Sequence, residues 1–133
     1  FSGSGQDITK VIPAGGIIMA GFASEPTKSD SSTIRFLLCN GQAVSRTTYS
    51  ALFSAVSTTF GTGDGSSTFN VPDMLGRMPI GSGAGSGLTS RTLGAKVGAE
   101  NLASGSNISS GSNYSYAITN PATGVNFFIA TEK

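Results

Sequence analysis

The stretch LLCNGQAVSRTTYSALFSAVSTTFGTGDGSSTFNVPDMLGRMPIG, residues 37–81, changes its hydrophobic pattern twice, and those changes decide the fold. It opens on the end of an apolar run, Ile34 to Cys39, which predicts a strand. Asn40-Gly41 closes that strand with a turn of the hairpin type, because both residues tolerate positive φ. Tyr49, Leu52, Phe53 and Val56 then stand at i, i+3, i+4 and i+7, which puts their side chains on one face of a helix. Thr47 or Thr48 is the expected cap of this helix, and its expected length is about ten residues. β-Branched residues at Thr58 and Thr59, followed by Gly61 and Gly63, end the pattern. From Gly61 the chain becomes a series of turns at 61–65, 70–73, Gly76-Arg77 and 80–87. Backbone hydrogen bonds and a few anchors hold such a segment, in place of regular packing.

Working outward, Phe1 to Gln6 reads as a flexible Gly/Ser leader, and Asp7 to Ile12 alternates as a short strand does. Pro13 and Gly15-Gly16 break that strand, and Ile17 to Phe22 begins a second one whose apolar density predicts burial on both faces. Glu25 to Ser32 reads as a polar loop. On the other side, Val97 to Ser115 reads as a long surface loop or irregular strands. Tyr114–Thr119 and Val125–Thr131 then form a closing pair of strands about a turn at Asn120-Pro121. In the last strand Phe127 and Ile129 face one side and Phe128 the other, so it is expected to return to the core. That core is expected to combine Tyr49, Leu52, Phe53, Val56 and Phe60 with Phe36, Leu38 and Phe127. The fold class that follows is α+β, mostly β and irregular loops with one short helix and strand-like N- and C-terminal segments. Three parts are expected: an arm at 1–12, a core at 13–81, and a Gly/Ser-rich loop region with the closing strands at 82–133.

Composition narrows the function. Of 133 residues only 15 are charged, against 19 Gly, 21 Ser and 14 Thr, so one domain with a modest core is the expectation. Such a domain gains from oligomerisation. A net charge of +1 without any Lys/Arg run supplies no footprint for a phosphate backbone, so nucleic acid is not an expected partner. No apolar run approaches the roughly 20 residues of a membrane span. The absence of His removes the commonest general base and transition-metal ligand, and a single Cys cannot form an intrachain disulfide or a Cys-cluster zinc site. The first residue is Phe1, which predicts a processed product or a fragment. The abundance of Ser, Thr and Gly suits an extracellular or virion surface.

The residues that could carry chemistry have structural readings. Asp64 in Gly-Asp-Gly lacks the spaced oxygen ligands of a calcium loop and reads as a turn acid accepting local N–H groups. Asp73 and Arg77, on either side of Gly76, read as a clamp that satisfies the backbone groups of an irregular segment. Ser45 has no base at triad spacing and reads as a turn or capping hydroxyl. Cys39 reads as a small buried hydrophobe. Gly81–Gly87 lacks the Lys-Ser/Thr ending of a phosphate cradle. Tyr114 and Tyr116, two apart, would share one face of a strand and could stack on a sugar. No catalytic, cofactor or metal residues are assigned.

Taken in order, Pro13-Ala-Gly-Gly-Ile-Ile18, the run from Leu37 to Tyr49, Ala51-Leu-Phe53, the run from Thr59 to Asp73, and Gly76-Arg-Met-Pro-Ile-Gly81 resemble the phage tail collar domain. The resemblance spans roughly residues 11–81, and Val125-Asn-Phe-Phe-Ile129 is similar to the family's terminal core strand. The family includes phage tail-fibre proteins, components of contractile injection particles, and small bacterial secreted proteins such as the microcystin-dependent-protein-like chains. The resemblance implies a structural, interaction-bearing module without catalysis. Many relatives carry a His-rich stretch before the terminal strand, and in some short tail fibres paired His residues from a trimer bind metal ions. Here Glu100-Asn-Leu-Ala-Ser-Gly105 stands in that place, so the resemblance carries no metal site over.

Two functions fit. The first is a non-enzymatic structural subunit that self-assembles into an extracellular fibre or filament, with Phe1, Ile8, Lys10, Val11 and Ile12 of the arm making the contacts between copies. The second is a collar or receptor-binding module of a phage tail fibre that mediates host attachment. The partners expected are copies of the chain itself, in a filament or a trimer, and a cell-surface glycan or receptor. The location expected is a secreted cell-surface fibre or a virion tail.

Overall fold

A computed structural model describes residues 12–25, 36–98 and 121–132. Its elements are β1 (Ile17–Ala20), β2 (Phe36–Leu38), β3 (Ala43–Ser45), α1 (Ser50–Val56), β4 (Thr68–Asn70) and β5 (Asn126–Ala130). β1, β5 and β2 make one antiparallel sheet with β5 in the middle, and β3 and β4 make a second, two-stranded one. This is the α+β, mostly β architecture expected from the sequence, with one helix among the described residues. The chain divides into two compact units, Phe1–Gly94 with Val125–Lys133 and Ala95–Gly124. The elements all lie in the first.

β5 is central because it is apolar on both faces. Phe127, Phe128, Ile129 and Ala130 are all buried, with Phe127 and Ile129 on the face opposite Phe128. The register pairs Ile129 with Leu37 and Phe128 with Leu38. Leu37 and Cys39 therefore share the face of Ile129 and Phe127, where Val44, Leu52, Phe69 and Val71 complete the core. Tyr49, Phe53, Val56 and Met74 pack against this cluster from its rim.

Phe36 and Leu38 were expected in the core and are instead half-buried on the other face. Ile34 to Cys39 is apolar almost throughout, so alternation cannot set its phase; pairing with β5 does. β1 is likewise not buried on both faces. It lies at the sheet edge with Ile17 and Met19 exposed, Met19 by 68%, because β5 flanks it on one side only. The turn at Asn40-Gly41 closes no hairpin, since β2 pairs with β5 and β3 with β4. It instead passes the chain from one sheet to the other. Gly41 has φ +79°, and a Cβ there would stand 3.1 Å from that of Asp73, so both conformation and space call for glycine.

The helical stripe is as expected: Leu52 is fully buried, and Tyr49, Phe53 and Val56 flank it. The helix is shorter than expected, at seven residues, and neither Thr47 nor Thr48 caps it. Ser45 takes that role one turn earlier, its Oγ accepting the amides of Thr47 at 3.2 Å and Thr48 at 3.1 Å. All of the expected Asp7–Ile12 strand but Ile12, most of the Glu25–Ser32 loop, and the Tyr114–Thr119 strand lie outside the described residues.

Candidate functional site

Between α1 and β4 the chain makes a compact loop whose polar side chains are used on its own backbone. Asp64 Oδ1 accepts the amides of Ser66, Ser67 and Thr68 at 2.9, 2.7 and 2.9 Å, and Oδ2 accepts the Ser67 hydroxyl. The Ser67 hydroxyl and these amides hold the Asp64 carboxyl well below the usual carboxylate range. Thr68 Oγ1 accepts the Asp64 amide in return. Asn70 bridges outward, its Oδ1 accepting Gly63 N–H at 2.8 Å and its Nδ2 donating to Gly41 C=O at 3.0 Å. Gly63 has φ +58°, and a Cβ there would collide with Thr68, including its carbonyl carbon at 2.5 Å, so the loop closes this tightly only around glycine. Asp64 thus fills the turn role expected of it.

Arg46 does what a clamp does, and sequence reasoning missed it. Its Nε donates to Thr68 C=O at 2.7 Å and its Nη2 to Thr62 C=O at 3.2 Å, while the guanidinium lies 4.7 Å from the centroid of the Phe53 ring. One planar fork therefore ties the two sides of the loop to the helix. Its partners are main-chain carbonyls, which leave no side-chain signature to read.

Asp73 forms a bridge with Asn40, and its Oδ1 accepts the Leu75 amide at 3.2 Å. Arg77 donates its backbone N–H to Met74 C=O at 3.1 Å and is exposed. Ile12, alone among the expected assembly residues, falls among those described; it is half-buried against Gly16. Phe1, Ile8, Lys10 and Val11 lie outside the described residues, as do Tyr114 and Tyr116. Cys39 is buried, and desolvation pushes its thiol up to about 11, which keeps it protonated at neutral pH. Among the described residues no group of three His, Cys, Asp or Glu side chains is placed to hold a metal ion. No helix among them is long and apolar enough to cross a membrane.

What the surface offers is apolar. Every residue from Leu75 to Ser90 is exposed, including Leu75, Met78, Ile80 and Leu88. The polar side chains of Arg46, Asp64 and Asn70, by contrast, maintain loops. A family model described as Phage Tail Collar Domain matches residues 15–79. No curated protein matches the chain.

Proposed function

Residues 15–79 belong to the phage tail collar domain family, a structural domain of tail fibres, and from that premise we propose that the chain is a non-enzymatic subunit assembling with copies of itself into an extracellular fibre. The observation that carries this reading is the family match together with the use made of the polar residues it covers. Ser45, Arg46, Asp64 and Asn70 each bond to the backbone of their own domain, where they stabilise turns. A module of this kind contributes shape and surface. Low charge supports the same reading, since a chain with 15 charged residues in 133 and a net charge of +1 has little self-repulsion to oppose association.

The contacts are assigned to the N-terminal arm: Phe1, Ile8, Lys10, Val11 and Ile12. Its β-branched residues Ile8, Thr9, Val11 and Ile12 suit a strand, and a lone strand needs a sheet to join. Deleting Phe1–Lys10 is expected to leave a folded monomer, checked by light scattering, circular dichroism and electron microscopy. Filaments or oligomers of unchanged size after the deletion would remove the arm from the assembly.

A further inference from the structure

The two edges of the three-stranded sheet are not equivalent. In an antiparallel ladder, alternate residues point their N–H and C=O groups toward and away from a given neighbour. On β2, Cys39 N–H donates to Phe127 C=O, so Leu37 and Cys39 face β5, while Phe36 and Leu38 face outward. That outer side is occupied at Leu38. Glu25 Oε1 accepts its N–H at 3.2 Å, and its C=O receives Asn40 N–H at 2.9 Å and Gln42 Nε2 at 3.4 Å. A side-chain acid covering the edge amide is a common way to close a sheet to further strands.

Among the described residues β1 carries no such cover. Ala130 N–H donates to Gly16 C=O, which sets the alternation on this side: Ile18 and Ala20 face β5, while the main-chain groups of Ile17 and Met19 point outward. Among the described residues nothing pairs those outward groups. The side chains of the same two residues are exposed as well, Ile17 by 43% and Met19 by 68%. An open row of donors and acceptors beside exposed apolar side chains is what an added strand requires. The main chain supplies affinity and the alternate side chains supply selectivity.

We propose that the β1 edge is the acceptor for the Asp7–Ile12 arm of a second copy, which adds as a strand beside Ile17–Ala20. This rests on the assembly reading above and specifies its other half. Three observations favour that occupant. The arm is rich in β-branched residues, Ile8, Thr9, Val11 and Ile12, and it is six residues long against the four of β1. The opposite sheet edge is closed at Leu38, so strand addition has one direction. A donor segment and an acceptor edge at different places on one chain make a heterologous contact, which propagates into a fibre or closes into a ring.

Proline separates this idea from misfolding. Met19→Pro removes an outward N–H and leaves the β1–β5 ladder intact, whereas Ile18→Pro removes a bond to β5. Met19→Pro is expected to melt cooperatively, like the parent, and to be monomeric in light scattering. Met19→Lys, which places a charge on the edge, is expected to behave the same way and serves if the proline variant fails to fold. Mixed with the chain lacking Phe1–Lys10, Met19→Pro is expected to form a one-to-one pair and nothing larger, since one chain keeps the donor and the other the acceptor. A synthetic peptide of residues 1–12 is expected to slow amide exchange at Ile17 and Met19 of the arm-deleted chain. If arm deletion abolishes assembly and both Met19 variants still assemble, the β1 acceptor is wrong and the arm reading stands. If arm deletion leaves assembly intact, both are wrong. An arm-deleted chain that dimerises, and loses the dimer with Met19→Pro, would overturn the proposal in favour of β1 pairing with β1.

Discussion

Four hydrogen bonds converge on the Asp64 carboxylate, and its charge strengthens each of them. The Ser67 hydroxyl and the amides of Ser66, Ser67 and Thr68 all donate to it, so the ionised form is favoured in the folded state. In the unfolded chain the same carboxyl titrates near pH ~4. A depressed folded value means that the stabilisation is complete above that pH and is lost as the pH falls below it, toward the folded value. Asp64→Asn is therefore expected to be less stable than the parent at pH 7 in urea unfolding. The gap is expected to narrow steadily as the pH drops from ~4 to ~2. A gap of constant size across that range would show that the geometry of the turn matters and its charge does not. Arg46 is the complement of Asp64, the acid gathering amides from within the loop and the base gathering carbonyls across it.

At the scale of elements, the local patterns were legible and the partners were not. The apolar stripe from Tyr49 to Val56 identified α1 because helix periodicity is a property of one short segment. The last strand was legible too, with Phe127 and Ile129 opposed to Phe128, because its alternating faces are both large and apolar. Which face of β2 turns inward depends on β5, 92 positions away between Leu37 and its partner Ile129, so Phe36 and Leu38 were assigned to the core and Leu37 was not, although Cys39 was read as buried. Phe69 and Val71 were overlooked because they sit between turns, in a stretch whose Gly, Asp and Ser residues dominate any reading. Of the candidate site, the turn role of Asp64 was legible from its Gly neighbours, while the fork of Arg46 onto carbonyls was not. The corrected core ranks two mutations. Phe69 has no exposed surface and pairs with Val44 across the β3–β4 ladder, whereas Phe53 lies at the rim with its ring 5.1 Å from that of Phe69. Phe69→Ala is expected to cost about 3–5 kcal/mol, as full truncation of a buried aromatic does, and Phe53→Ala about 1–3 kcal/mol. Chemical denaturation of both variants checks the order, and equal costs would place Phe53 in the core proper.

For the whole molecule, the decisive feature is that the central strand comes last. β1 and β2 each pair with β5 and not with one another, so neither has a sheet until the C-terminal segment arrives. The side chain of Asn126 reinforces this, with Nδ2 donating to Phe22 C=O at 2.8 Å across 104 positions of sequence. Such non-local pairing costs loop-closure entropy before it returns any burial, which places the domain among slowly folding topologies. Phe127 and Ile129 also complete the core that α1, β3 and β4 cover, so removing β5 exposes both layers at once. A chain ending at Gly124 is therefore expected to show no cooperative unfolding transition in urea, even though it retains every other described element. Adding a peptide of residues 121–133 in trans is expected to restore the transition, with a midpoint that rises with peptide concentration, because binding to the folded state alone stabilises it by mass action. A truncated chain that keeps the parent's transition unaided would show that α1 with β3 and β4 folds alone, and that the three-stranded sheet is an attachment to it.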